Sequence, residues 1–200
     1  MNLPGMLAAA RRLGSGYEFL IPVAPMLDEG FVRALLVGHM AQRSALSRLD
    51  KSAASNLNGR CEDFLVHLVP EALPALAHSR AGIIASGTAT VEAAMMNLPF
   101  VMVYRVTPMT YWLGRSTVKV PYFAMVNLIA GKKVVPELVQ EDFTPEKVAE
   151  EISKLIPDGQ ARQAMLNGLE KVRRRLGKDG AQALMPAARA AKAVFRLSRG

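Results

Sequence analysis

The chain reads as an α/β protein: a doubly wound, Rossmann-like parallel sheet followed by C-terminal helices. Between residues 64 and 118, short apolar runs alternate with helical patterns, the mark of parallel strands covered on both faces. From Thr144 onward the pattern is wholly helical. The 200 residues are half hydrophobic and 21% charged, enough for one sizeable core with a helical appendage. The expected division is therefore a sheet domain over 1–143, with an insertion at about 42–60, and a helical extension over 144–200.

Taken in order, Met6 to Leu13 reads as the end of a helix closed by Gly14 and Gly16. Tyr17 to Val23 is a short apolar strand stopped by proline. Leu27 to Met40 has helical spacing, with Phe31, Leu35, Leu36 and Met40 on one face. Gln42 to Arg60 is poor in large apolar residues and rich in Ser, Asn and Ala, so a loop is expected. The alternation follows: strand Phe64–Val69, helix Glu71–His78 behind Pro70, strand Ala81–Ala85, helix Thr88–Met96, strand Phe100–Tyr104, helix Thr110–Val118. Thr144-Pro145-Glu146 joins an N-cap residue to proline at the first helical position. Pro157-Asp158-Gly159 ends that helix. Two more helices follow, parted near Gly177 to Gly180.

A formal charge of +8 points to an anionic partner or to a solvated basic face, and charge alone leaves these even. Cys61 is the only cysteine, which excludes an internal disulfide and a cysteine-based zinc site and fits a reduced, intracellular setting. Met1 to Arg12 lacks the basic start and long apolar run of a signal peptide. No uninterrupted apolar stretch reaches the roughly 18 residues of a transmembrane helix, so membrane contact is expected to be peripheral.

Three stretches carry chemistry. Ile83 to Glu92 is an apolar strand, a Ser86-Gly87-Thr88 turn and a helix. Gly87 lets a phosphate approach the backbone, Thr88 can cap the helix, and free N–H groups there favour an anion. Glu92, one turn further in, can accept hydrogen bonds from ribose hydroxyls. An ordinary strand-to-helix turn has the same look. In Tyr104 to Trp112, Arg105 falls where a doubly wound sheet puts its ligand contacts, and its fork suits phosphate. A surface salt bridge is the equal alternative, and Tyr111 and Trp112 fit a membrane interface or core packing alike. Asn127, in Lys119 to Gly131, follows an apolar run. Its amide can hold a diphosphate or sugar hydroxyl, or cap the backbone.

The other features are plainer. His39, His67 and His78 show no ligand spacing. The run Lys171, Arg173, Arg174, Arg175 reads as a solvated face first, anionic lipid contact second and nucleic acid third. A non-catalytic basic module on anionic membrane or nucleic acid is thus one whole-chain reading. No aromatic-interleaved basic pattern supports nucleic acid, and no Walker loop or GxSxG elbow is present.

Together the three stretches resemble lipid-A-disaccharide synthase, almost continuously from Ala85 to Asp142, with VYRVTPMTYW and VNLIAGKKVVPEL the most specific segments. The resemblance is looser over FLIPVAPMLDEGF and the final helices. It implies half of a type B glycosyltransferase fold, the half that holds the UDP part of the donor. The implied reaction, in lipopolysaccharide synthesis of Gram-negative bacteria, moves 2,3-diacylglucosamine from UDP to 2,3-diacylglucosamine 1-phosphate. It proceeds with inversion to a β-1,6 link, releases UDP and requires no metal or organic cofactor. Ser86, Gly87 and Thr88 then lie near the diphosphate, Glu92 near the ribose, Arg105 at the cleft and Asn127 near the reaction centre. A cytoplasmic protein, peripheral at an anionic inner membrane, is implied, either as a homo-oligomer or with a separate N-terminal half. Another type B transferase using a UDP-amino sugar shares the architecture without VYRVTPMTYW and VNLIAGKKVVPEL. Full-length members are much longer than this chain. It is therefore expected to begin inside the first helix of the C-terminal half, after the family's glycine-serine-arginine phosphate loop. The acceptor domain and its acidic base would then be missing, and turnover by the chain alone slow.

Overall fold

The computed structural model describes residues 2–24, 30–32, 34, 36, 59–61, 64–106 and 121–177. Its strands are β1 (Glu18–Pro22), β2 (Gly59–Cys61), β3 (Phe64–Val69), β4 (Gly82–Ala85), β5 (Phe100–Tyr104) and β6 (Glu137–Val139). Its helices are α1 (Leu3–Leu13), α2 (Ala72–His78), α3 (Ala89–Met95), α4 (Met125–Ala130), α5 (Pro145–Leu155) and α6 (Gln160–Arg175), with a 3₁₀ turn at Gln140–Asp142. The α/β class is as the alternation predicts. The pairs β1–β3, β4–β5 and β5–β6 are parallel.

The strands divide between two three-stranded sheets, ordered β1-β3-β2 and β4-β5-β6. In the first, β2 runs antiparallel to β3, with Gly59 opposite Val66 and Cys61 opposite Phe64. Gly59 and Arg60, expected in a loop, are therefore strand. A Gly-Arg-Cys run has little strand preference of its own, and the ladder offered by β3 supplies the bonds. Residues 42–58, the helix expected at Thr110–Val118 and the last helix lie outside the described residues.

The second sheet holds the main core. Its middle strand, β5, is the most apolar, and Phe100, Val101, Met102 and Val103 are all at 0% exposure. Helices α5 and α6 pack into that same core through Val148, Ile152, Leu155, Met165, Leu169 and Val172. Thr144 caps α5 as its sequence predicts, its side chain accepting from the Lys147 N–H. α1 begins at Leu3, earlier than its apolar run suggests, because Pro4 needs no helical partner for the N–H it lacks.

α1 serves both cores. Ala9 is buried with the β5 core, while Leu7 and Ala10 join Val32, Leu36 and Val66 in a smaller one. Successive helical residues point about 100° apart, so one helix can face two layers. Gly5 permits a close approach: a Cβ there would come within 2.8 Å of the Phe143 ring. The expected apolar face after Leu27 is rotated. Val32 and Leu36 are buried, four residues apart, whereas Phe31 is 56% exposed. Leu35 and Met40 lie outside the described residues.

Candidate functional site

Because β4, β5 and β6 are mutually parallel, their C-terminal ends share one edge, with Ala85 beside Val103 and Tyr104 beside Val139. Ser86–Thr88, Arg105–Val106 and the Gln140–Asp142 turn leave the sheet along this rim. It is the place where open parallel sheets hold ligands.

At Ser86 the backbone N–H still extends the sheet, donating to Val103 O at 3.0 Å. Its hydroxyl donates to the Phe123 carbonyl at 3.0 Å. Gly87 then turns with φ +143°, a conformation that side-chain-bearing residues rarely adopt. Among the described residues, its chain neighbours aside, no heavy atom lies within 4 Å of a would-be Cβ. Thr88 does not cap α3 with its side chain. It is already helical at φ −60°, ψ −28°, so its hydroxyl does not reach the following N–H groups. The turn is closed by Thr90 instead, whose hydroxyl donates to Gly87 O at 2.8 Å. Among the described residues the N–H groups of Gly87 and Thr88 donate to no protein acceptor, and Thr88 is exposed. Since α3 has only seven residues, anion binding here would rest on those two N–H groups and the exposed hydroxyl rather than on a helix dipole. Glu92 stands half-buried one turn along α3.

Arg105 is held along one edge. Its Nη2 donates to Phe143 O, and its guanidinium lies 4.8 Å from the Phe143 ring centroid. Its backbone N–H donates to Asn2 Oδ1 at 3.0 Å. Among the described residues no carboxylate pairs with it. The residue as a whole is exposed.

Asn127 takes the backbone-holding alternative. It lies within α4 at 0% exposure. Its Nδ2 donates to Val135 O at 3.0 Å and to Glu137 Oε1 at 2.7 Å. Its Oδ1 accepts from Val134 N at 2.7 Å and Val135 N at 3.0 Å. An amide offers two donors and a carbonyl oxygen with two lone pairs, so all its capacity is spent internally. Asn127 thereby ties α4 to the segment that leads into β6.

Two residues near the rim carry little signal in the sequence. Glu137, at the start of β6, accepts from Ala124 N at 2.9 Å and from Phe123 N at 3.1 and 3.2 Å. Its only signal was a carboxylate inside the apolar run VVPELV. Gln140 has φ +52°, a left-handed backbone in a non-glycine residue. Its side chain accepts from Val106 N at 2.9 Å and donates to Val106 O at 3.2 Å, pinning the exit of β5. Nothing local in the sequence marks that conformation. Nearby, Lys147 holds the Asp142 carboxyl below the usual aspartate range, by its hydrogen bond first and its charge second.

The basic run of α6 is partly engaged. Arg175 Nη1 donates to Ile129 O at the end of α4, at 2.6 Å, and Arg173 and Arg174 both pair with Glu170. Tyr111 and Trp112 lie outside the described residues. Among those described, no group of three or more His, Cys, Asp or Glu comes together to hold a metal. No helix among them is long and apolar enough to cross a membrane.

A family model described as lipid-A-disaccharide synthetase matches residues 43–191. Among curated relatives, the lipid-A-disaccharide synthase of Acidobacterium capsulatum is 43% identical over 187 residues, covering 92% of this chain and 44% of its own length. That of Koribacter versatilis is 43% identical over 199 residues, 100% of this chain and 46% of the relative. The Myxococcus xanthus protein of the same name is 38% identical, covering 98% of this chain and 45% of its own length. The chain thus spans a little under half the length of the curated relatives it matches. With the family model covering most of the chain and these identities running along nearly all of it, this chain belongs to the lipid-A-disaccharide synthase family.

Proposed function

We propose that this chain provides the nucleotide-sugar side of lipid A disaccharide synthesis. In that reaction 2,3-diacylglucosamine passes from UDP-2,3-diacylglucosamine to 2,3-diacylglucosamine 1-phosphate. The observation that carries the reading is the match, along nearly the whole chain, to proteins named lipid-A-disaccharide synthase. The rim of β4–β5–β6 supports it with groups suited to a nucleoside diphosphate. The N–H groups of Gly87 and Thr88 and the Thr88 hydroxyl would receive the diphosphate, and the exposed Arg105 would offset its charge. Glu92 would accept from the ribose hydroxyls. Asn127 would act from behind, by fixing α4 beside the reaction centre.

In the transfer, the acceptor's 6-hydroxyl attacks the anomeric carbon from the face opposite the diphosphate. The anomeric C–O bond breaks with its electron pair going to UDP, and the hydroxyl proton goes to a base outside the residues named here. Negative charge grows on the departing phosphate, so donors already aimed at it lower the barrier. A cytoplasmic location at the inner membrane surface, with anionic lipid contact through the +8 charge, fits substrates that carry acyl chains. The full reaction would further involve a second copy or an acceptor-binding half.

Calorimetric titration with UDP, with ADP as control, tests the donor site. UDP should bind in preference to ADP, and Glu92→Ala should weaken UDP by roughly tenfold, as expected for lost hydrogen bonds to a charged acceptor. A folded chain that binds neither nucleotide, or both equally, would sink the reading.

A further inference from the structure

We infer that Glu137 is a positioning residue for the proposed diphosphate site, acting through the Phe123–Asn127 segment on Ser86. The inference rests on the donor-site reading and deepens it. Glu137 stands half-buried at the head of β6, paired in register with Met102 of β5. Its carboxylate gathers the N–H groups of Phe123 and Ala124, together with one proton of the Asn127 amide at 2.7 Å. Those backbone groups precede α4, where helix geometry leaves N–H groups without intrahelical partners. A carboxylate there meets several donors at once. Asn127 closes the other side, since its Oδ1 takes the N–H groups of Val134 and Val135 just before β6. Segment and strand are thereby bolted together from both directions.

The bolt reaches the candidate site through Phe123. The same residue that donates its N–H to Glu137 offers its carbonyl to Ser86 Oγ at 3.0 Å. Its ring leans on Tyr104 at the end of β5, with centroids 6.2 Å apart. Ser86 opens the turn whose N–H groups would meet phosphate, and its hydroxyl direction is set by where the Phe123 carbonyl stands. Charge on Glu137 holds Phe123; Phe123 holds Ser86; Ser86 begins the turn. Glu137 has no role in contacting the ligand on this geometry.

The test is UDP affinity of the full chain and of Glu137→Gln, Ser86→Ala and the double variant, with thermal unfolding measured on each. Glu137→Gln keeps the shape but replaces an acceptor oxygen by a donor group facing N–H donors, and should weaken UDP by about tenfold while still folded. In the Ser86→Ala background the same change should have almost no further effect, because the path it uses is already cut. A purely structural role predicts lower thermal stability with unchanged affinity, or losses that multiply in the double variant, and either result overturns the inference. Should the glutamine variant not fold, Glu137→Asp keeps the charge one methylene further back. It should speed hydrogen exchange at Phe123 and Ala124 and weaken UDP together; faster exchange with unchanged UDP affinity overturns the inference. Failure of the unaltered chain to bind UDP is a separate outcome: it removes the donor-site reading itself and this inference with it.

Discussion

Asn97 lies just past α3 with φ 55°, and its surroundings explain why it is tolerated. Its N–H donates to Ala94 O and the N–H of buried Leu98 to Ala93 O, both at 3.0 Å, the paired bonds of a Schellman ending. The left-handed backbone costs a Cβ-bearing residue about 1 kcal/mol, least for asparagine. Asn97→Ala should therefore lower unfolding free energy by about 1 kcal/mol in urea, whereas Asn97→Gly should be neutral or slightly stabilising. Equal midpoints for the alanine variant and the parent would show that the turn is not left-handed in solution. Similar reasoning separates Arg105 from Asn127. Both looked like ligand contacts because both types suit phosphates and sugars. Residue type cannot report whether a neighbour has already claimed the side chain, and four internal partners have claimed that of Asn127.

The entry to α5 shows how an element's end is fixed. Thr144 caps it through Lys147 N at 3.3 Å, and Lys147 Nζ pairs at 2.5 Å with Asp142 in the preceding turn. The Lys147 hydrogen bond, and then its charge, puts the folded carboxyl of Asp142 below the ordinary value of 3.8. A depressed folded value gives stability that is present above the unfolded value and lost as pH falls through the folded one. Lys147→Met should accordingly cause a small drop in thermal midpoint at neutral pH. The difference from the parent should close as pH falls through the lowered range of the folded carboxyl. Both groups are exposed, so added salt should shrink it as well. A gap that persists in acid would trace the loss to packing of the lysine stem instead. This element was readable beforehand, because a cap residue followed by proline is a local signal. β2 was not, because its only warrant is the neighbouring strand.

For the molecule as a whole, the two sheets are unequal. The β4–β5–β6 core draws on α1, α3, α5 and α6, while the described β1–β3 core is small and leaves alternate β1 residues exposed. Hydrogen exchange by mass spectrometry should find Phe100–Val103 slowest, with β1 and β3 opening at lower free energy. Equal protection in both would mean that α1 makes them one cooperative unit. The parallel pairing of the core strands and the two helices that follow Thr144 were legible from periodicity. The division into two sheets was not. Pairing partners are a long-range matter, and each apolar run looks alike whichever sheet it joins.

The place of α1 has a consequence for how the chain is made. Its 0%-exposed Ala9 and its contact with the Phe143 ring tie it to elements synthesised more than a hundred residues later. On the ribosome, α1 leaves the tunnel long before α5 exists to cover it. Its apolar stripe must wait uncovered until those elements have been made. Closing so long a loop also places the last docking step late and slow. A helix that fastens two layers across so long a stretch of chain makes the order of translation part of the problem the fold has to solve.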